Sequence, residues 1–132
     1  APEPVRRVVS PHTAATVRRI LKTVITEGGT GVNAALEGYS VCGKTGTAQK
    51  IDDSGTYAKG RYVSSFVGFA PADHPELAIL VLVDEPKVQS YGGIVAAPAF
   101  RQIALETLSY LNIPPGPDAD RLRVSRGNRA NG

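Results

Sequence analysis

Residues Gly38 to Thr47 read GYSVCGKTGT, and the fold turns on whether this stretch is a loop or a strand. From Gly38 to Thr45 it fits G-x-x-x-x-G-K-[ST], the pattern of a phosphate-cradling loop. Farther on, the apolar run LAILVLVDE ends in Asp84-Glu85, the kind of acidic strand end that holds Mg²⁺ beside such loops. A phosphate loop needs a buried strand before it and a helix opening behind it, because loop N–H groups and the helix N-terminus hold the anion. Neither neighbour qualifies. NAALE, before Gly38, is short and weakly β-forming, and GTAQKIDDSG, after Thr45, is a poor first helix. Tyr39-Ser40-Val41-Cys42 is itself strand sequence, and no crossover helix lies between Lys44 and Asp84 to wire a parallel sheet. The stretch is therefore read as strand, and Asp84-Glu85 as a polar strand exit before Pro86.

Outward from that strand the order is helix, three strands, helix. Val5 to Val9 has the composition of a short strand. Ser10-Pro11 supplies an N-cap and a proline at the first helical position. Val17, Ile20, Leu21, Val24 and Ile25 follow at helical spacing, and Gly28-Gly29 is where that helix should end. The residues from there to Gly38 form a loop or a short turn. Tyr39 to Lys50, Arg61 to Pro71 and Leu77 to Glu85 read as strands, the last apolar enough to be covered on both faces. Tyr91-Gly92-Gly93 is read as a turn. Phe100, Ile103, Ala104, Leu108 and Leu111 make a second amphipathic helix with Pro98 in its first turn, stopped by Asn112 and Pro114-Pro115. Strands joined by short turns are antiparallel. The expected fold class is α+β: a three-strand antiparallel meander with the two helices packed on it.

Composition narrows the function classes. The chain has 132 residues, 42% hydrophobic, with no tryptophan and a net charge of +3. That is enough for one mainly aliphatic core. No basic patch is interleaved with aromatics as a nucleic-acid groove would be, so no nucleic acid is expected as a partner. The lone cysteine, Cys42, excludes an internal disulfide, and His12 and His74 have no metal-ligand spacing; no metal and no cofactor are expected. No run of about 18 apolar residues spans a membrane. Residues 1–115 are read as one piece of a larger domain and the arginine-rich residues 116–132 as a disordered tail.

On a strand, Lys44-Thr45-Gly46-Thr47 offers a cation, two hydroxyls and a glycine where a backbone or ligand can approach closely. Such a strand can pair with an extended peptide and hold its carboxylate. Alternation puts Thr45 and Thr47 on one face and Lys44 and Gly46 on the other, so a twist or bulge is needed if all are to serve one site.

CGKTGTAQK resembles the Lys-Thr-Gly motif of penicillin-binding proteins and serine β-lactamases. With VVSPHTAATVRRILKTVITEGGTG, SSFVGFAPADHPELAILVLVDEP and YGGIVAAPAFRQIALETLSYLNIPP in order, the chain is similar to the class B penicillin-binding proteins, peptidoglycan D,D-transpeptidases, from about Val5 to Pro115. The resemblance implies a five-stranded antiparallel sheet between helices, of which this chain holds three strands. It implies acyl transfer through a serine acyl-enzyme formed with D-Ala-D-Ala stem peptides, and a penicillin-sensitive site. It makes Lys44 and Thr47 catalytic, and Thr45, Gly46 and Thr47 substrate-binding, with the Thr47 N–H in the oxyanion hole. Its implied partners are peptidoglycan stem peptides and β-lactams, the remainder of the transpeptidase domain, and proteins of the cell-wall synthesis complex. Its implied place is the outer side of the bacterial cytoplasmic membrane. No serine here begins Ser-x-x-Lys or Ser-x-Asn, the family's other two motifs, so this chain alone is expected to be inactive. A non-catalytic peptide-binding or interaction module is the alternative, and a phosphate-loop NTPase a distant one.

Overall fold

A computed structural model describes Glu3 and residues 5–116; the expected tail lies outside the described residues apart from Gly116. Helix α1, Pro11–Thr23, starts as the sequence requires: Ser10 Oγ accepts from the Thr13 N–H at 3.1 Å and proline fills the first position. It ends before the glycines. Thr23 and Thr26 turn their hydroxyls back onto the Ile20 and Thr23 carbonyls, and the β-branched run Thr23-Val24-Ile25-Thr26 leaves the helix. The chain folds under itself there, with the Gly31 N–H donating to Val24 O at 2.9 Å. Val5 to Val9 is irregular and joins no sheet, since strand propensity forms no strand without a neighbouring edge to pair with.

The sheet is an antiparallel meander in the order β1-β2-β3: β1 Cys42–Ile51, β2 Tyr57–Ala70, β3 Leu77–Asp84. The β1–β2 turn is held by Asp52, whose carboxylate accepts from the N–H groups of Ser54 at 2.9 Å and Thr56 at 3.2 Å. The Ser54 hydroxyl, first, and those N–H groups hold the Asp52 carboxyl below its usual range. β2 starts four residues earlier than its apolar pattern indicates, because Tyr57 pairs with Ile51 across this turn.

The register separates the two faces. On one, Phe66 and Ser64 stand opposite Thr45 and Thr47, with Val81 and Val83 beyond. The short α2, Gly92–Val95, and the longer α3, Ala97–Tyr110, cover this face. Phe66 and Phe100, both fully buried, meet edge to face with ring centroids 4.8 Å apart. Asn112, at φ 53°, closes α3 in the left-handed conformation that asparagine tolerates. Beyond it the Ile113 carbonyl accepts from Tyr39 Oη and the Gly116 N–H donates to Gly38 O, so the segment after α3 is tied to the entry of β1.

The other face is covered only at the Cys42 end. There α1 crosses, and Cys42 Sγ donates to Arg18 O at 3.1 Å. Burial pushes this thiol's pKa up, against the opposing effect of Lys22, so it is an inert packing group. Lys22 Nζ in turn grips Asp73 Oδ1 at 2.7 Å, tying α1 to the β2–β3 turn. Away from α1, Val67, Leu80 and Leu82 remain 47%, 59% and 61% exposed. β3 is thus covered on one face, not two, among the described residues. No described helix is long and apolar enough to cross a membrane.

Candidate functional site

The stretch that could have been a phosphate loop is strand. Gly38 makes a turn at φ 84°, and Cys42 through Ile51 pairs with β2. No helix follows Thr45, so nothing here presents the ring of N–H groups an anion loop requires. Asp84 and Glu85 are engaged elsewhere. Lys50 Nζ binds Asp84 at 3.0 Å and Glu85 at 2.9 Å, and Arg61 binds Glu85 at 2.7 Å. The Lys50 hydrogen bond, followed by that of Arg61, lowers the Glu85 pKa to about 2. This cluster pins all three strands at one end of the sheet. Among the described residues no three His, Cys, Asp or Glu side chains gather as a metal site would require.

β1 is an edge strand, with no neighbour on its outer side among the described residues. Its pairing with β2 is unbroken from Cys42 to Gln49, and the irregularity comes only between Gln49 and Ile51. No bulge therefore re-aims the motif. Thr45 and Thr47 share the face of Phe66, while Lys44 stands on the face of Val67. The long lysine stem lets Nζ reach back along the strand and donate to the backbone Thr45 O at 2.7 Å. A Cβ on Gly46 would meet the Ser65 hydroxyl, which would have to turn away to make room.

The threonines line a cleft of 230 Å³ shared with Thr30, Tyr91 and the Gly92-Gly93-Ile94 backbone. Thr45 Oγ1 lies 3.0 Å from Thr30 Oγ1. Thr47 Oγ1 accepts from the Gly92 N–H at 3.4 Å, which leaves the Thr47 proton free to be donated. The glycines are needed for this approach: a Cβ on Gly92 would strike Ser65 O, and one on Gly93 would strike Thr30 O. Ser64, buried opposite Thr47, donates its hydroxyl to Ser90 O and so anchors the loop leading to Gly92.

The cleft carries the hydroxyls of Thr30, Thr45, Thr47 and Tyr91 beside an unpaired strand edge. Residues 1–105 match the penicillin binding protein transpeptidase domain family. The chain belongs to that family. It is 47% identical over 111 residues to Stage V sporulation protein D of Bacillus subtilis, covering 83% of this chain and 17% of that protein. It is 41% identical to the probable peptidoglycan D,D-transpeptidase PenA of Neisseria gonorrhoeae, over 83% of this chain and 19% of PenA. Among solved structures it resembles the transpeptidase domain of Burkholderia pseudomallei penicillin-binding protein 3, with a TM-score of 0.76 and 45% identity over 84% of this chain and 34% of that one. Penicillin-binding protein 3 of Mycobacterium tuberculosis, solved with ampicillin, gives a TM-score of 0.78 at 41% identity over 89% of this chain and 28% of that one. The chain thus spans under a fifth of those two curated relatives and is part of a transpeptidase domain of the β-lactamase-like fold.

Within this transpeptidase segment, Lys44, Thr45, Gly46 and Thr47 lie together along one strand. Four groups that line the cleft or brace its lining were not assigned from sequence: Thr30, the Gly92 N–H, Ser64, and Asn33, whose Nδ2 donates to Gly93 O. Of these only the Gly92-Gly93 pair hinted at a close backbone approach, and a turn explains such a pair equally well.

Proposed function

We propose that the complete protein carrying this chain is a serine D,D-transpeptidase that cross-links peptidoglycan, and that this chain forms the Lys-Thr-Gly wall of its site. The supporting observation is the Lys44-Thr45-Gly46-Thr47 run on an open strand edge, with Thr45 and Thr47 lining a cleft beside it. An extended stem peptide ending in D-Ala-D-Ala lies along that edge and takes backbone hydrogen bonds from it. Its terminal carboxylate accepts hydrogen bonds from the Thr45 and Thr47 hydroxyls. Gly46 adds no side chain between peptide and strand.

The nucleophile is a serine outside this chain. Its oxygen bonds to the carbonyl carbon of the D-Ala-D-Ala amide, the C–N bond breaks, and terminal D-Ala leaves as an amine bearing the transferred proton. The amine of a neighbouring stem peptide then displaces the serine and completes the cross-link. The Thr47 N–H supports the negative charge on the carbonyl oxygen, and Lys44 supplies positive potential to the serine's hydrogen-bond network. A penicillin enters by the same carboxylate contacts and remains as an acyl-enzyme. The enzyme's place is the outer side of the cytoplasmic membrane, among the proteins of cell-wall synthesis.

Mass spectrometry with a labelled penicillin tests both parts. The complete protein should gain one covalent adduct, and the isolated chain none. An adduct on the isolated chain would sink the assignment of the nucleophile elsewhere.

A further inference from the structure

The hydroxyls of Thr30, in the loop after α1, and Thr45, on β1, are hydrogen-bonded 3.0 Å apart. Gly93 leaves room beside Thr45: a Cβ there would come within 3.3 Å of Thr45 Cγ2. Gly93 cannot retreat, because the Thr30 carbonyl fills the space a side chain would need and Asn33 Nδ2 donates to Gly93 O at 2.8 Å. The loop after α1 and the loop before α3 therefore grip each other, and Thr45 is set between them. Its hydroxyl is turned to Thr30, and β-branching restricts its χ1.

A hydroxyl has one proton and two acceptor lone pairs. If Thr30 donates to Thr45, Thr45 keeps its proton for a third group. If Thr45 donates to Thr30, it turns only lone pairs toward the cleft. A carboxylate beside Thr45 selects the first arrangement, and a chain of two donors ending on an anion is polarised along its length.

We propose that Thr30 is a positioning residue for carboxylate recognition, acting through Thr45 by taking the acceptor role away from the ligand side. The inference rests on the proposed function, since it needs a carboxylate ligand at Thr45. Thr30 itself is exposed, so removal of its hydroxyl should leave folding intact.

The test is the acylation rate of the complete protein with a fluorescent penicillin, with melting temperature as a control. Thr30→Val should slow acylation roughly three- to tenfold, the range for loss of one hydrogen bond. Thr30→Ser, which keeps the hydroxyl, should restore most of the rate. In a Thr45→Val background, Thr30→Val should add nothing further. Unchanged acylation by Thr30→Val, no rescue by serine, or an equal loss in the Thr45→Val background would each overturn the inference while leaving the functional reading standing. A native complete protein that takes up no penicillin would instead overturn the functional reading.

Discussion

Thr47 is the residue on which recognition should depend most. Its Oγ1 already accepts from the Gly92 N–H, so the proton is presented outward. In the complete protein Thr47→Val preserves shape and strand propensity but removes that donor. A hydrogen bond to a charged group contributes about 1.5–3 kcal/mol, so penicillin acylation should fall roughly 10- to 100-fold. Thr47→Ser should lose far less. A rate for Thr47→Val within twofold of native would remove this hydroxyl from the carboxylate site. Lys44 differs in kind, since its ammonium is satisfied by Thr45 O, and the proposed function requires it to be drawn from there. Lys44, Thr45 and Thr47 were identifiable from sequence as chemistry-bearing residues on a strand. Thr30 was not, because a threonine in a glycine-rich turn carries no periodicity and its partner lies across the fold.

At the level of elements, the far end of the sheet is set by charge. Glu85 follows β3 in the left-handed region, φ 47°, and accepts from Lys50 and Arg61, so one carboxylate joins β1, β2 and the end of β3. Its pKa is lowered from the ordinary 4.5 to about 2. A carboxyl depressed on folding contributes stability that is fully present above its unfolded pKa and is lost as pH falls through the folded one. The contribution should therefore fade between about pH 4.5 and pH 2. In acid titrations of melting temperature, native protein should exceed Glu85→Gln at pH 6, and the two curves should merge near pH 2. Parallel curves down to pH 2 would show that the cluster does not couple the strands. Strand propensity and the turns between located all three strands, but the early start of β2 and the early end of α1 escaped the sequence reading. Both are decided by partners: Ile51 across the turn for Tyr57, and local hydroxyl-to-carbonyl bonds for Thr23 and Thr26.

For the whole molecule, the unpaired edge of β1 and the bare Val67–Leu80–Leu82 surface belong together. Exposed apolar surface on a sheet with an open edge favours association. The isolated chain should self-associate with rising concentration in sedimentation velocity, and Leu80→Lys with Leu82→Lys should shift it toward monomer. Concentration-independent monomer for the native chain would mean that this face is covered by something outside the described residues. The same surface accounts for the apolar character of both faces of β3, which anticipated a cover on each side.

By itself the sequence determined the strand order, the antiparallel wiring, the capped start of α1 and the motif that belongs on an edge strand. These follow from local periodicity, turn chemistry and the absence of a crossover, all written within a few residues. It also counted against the phosphate loop, since that reading failed on its immediate neighbours, and the observed strand closes the question. Only the tertiary structure decided what surrounds the lysine and the threonines on their opposite faces. The long lysine stem bends to the strand edge, and loops some fifteen and forty-five residues away in sequence grip Thr45 and Thr47 from the inner face. Those contacts rest on glycines that leave room for another chain segment, and which segment fills that room is a property of the packed molecule alone.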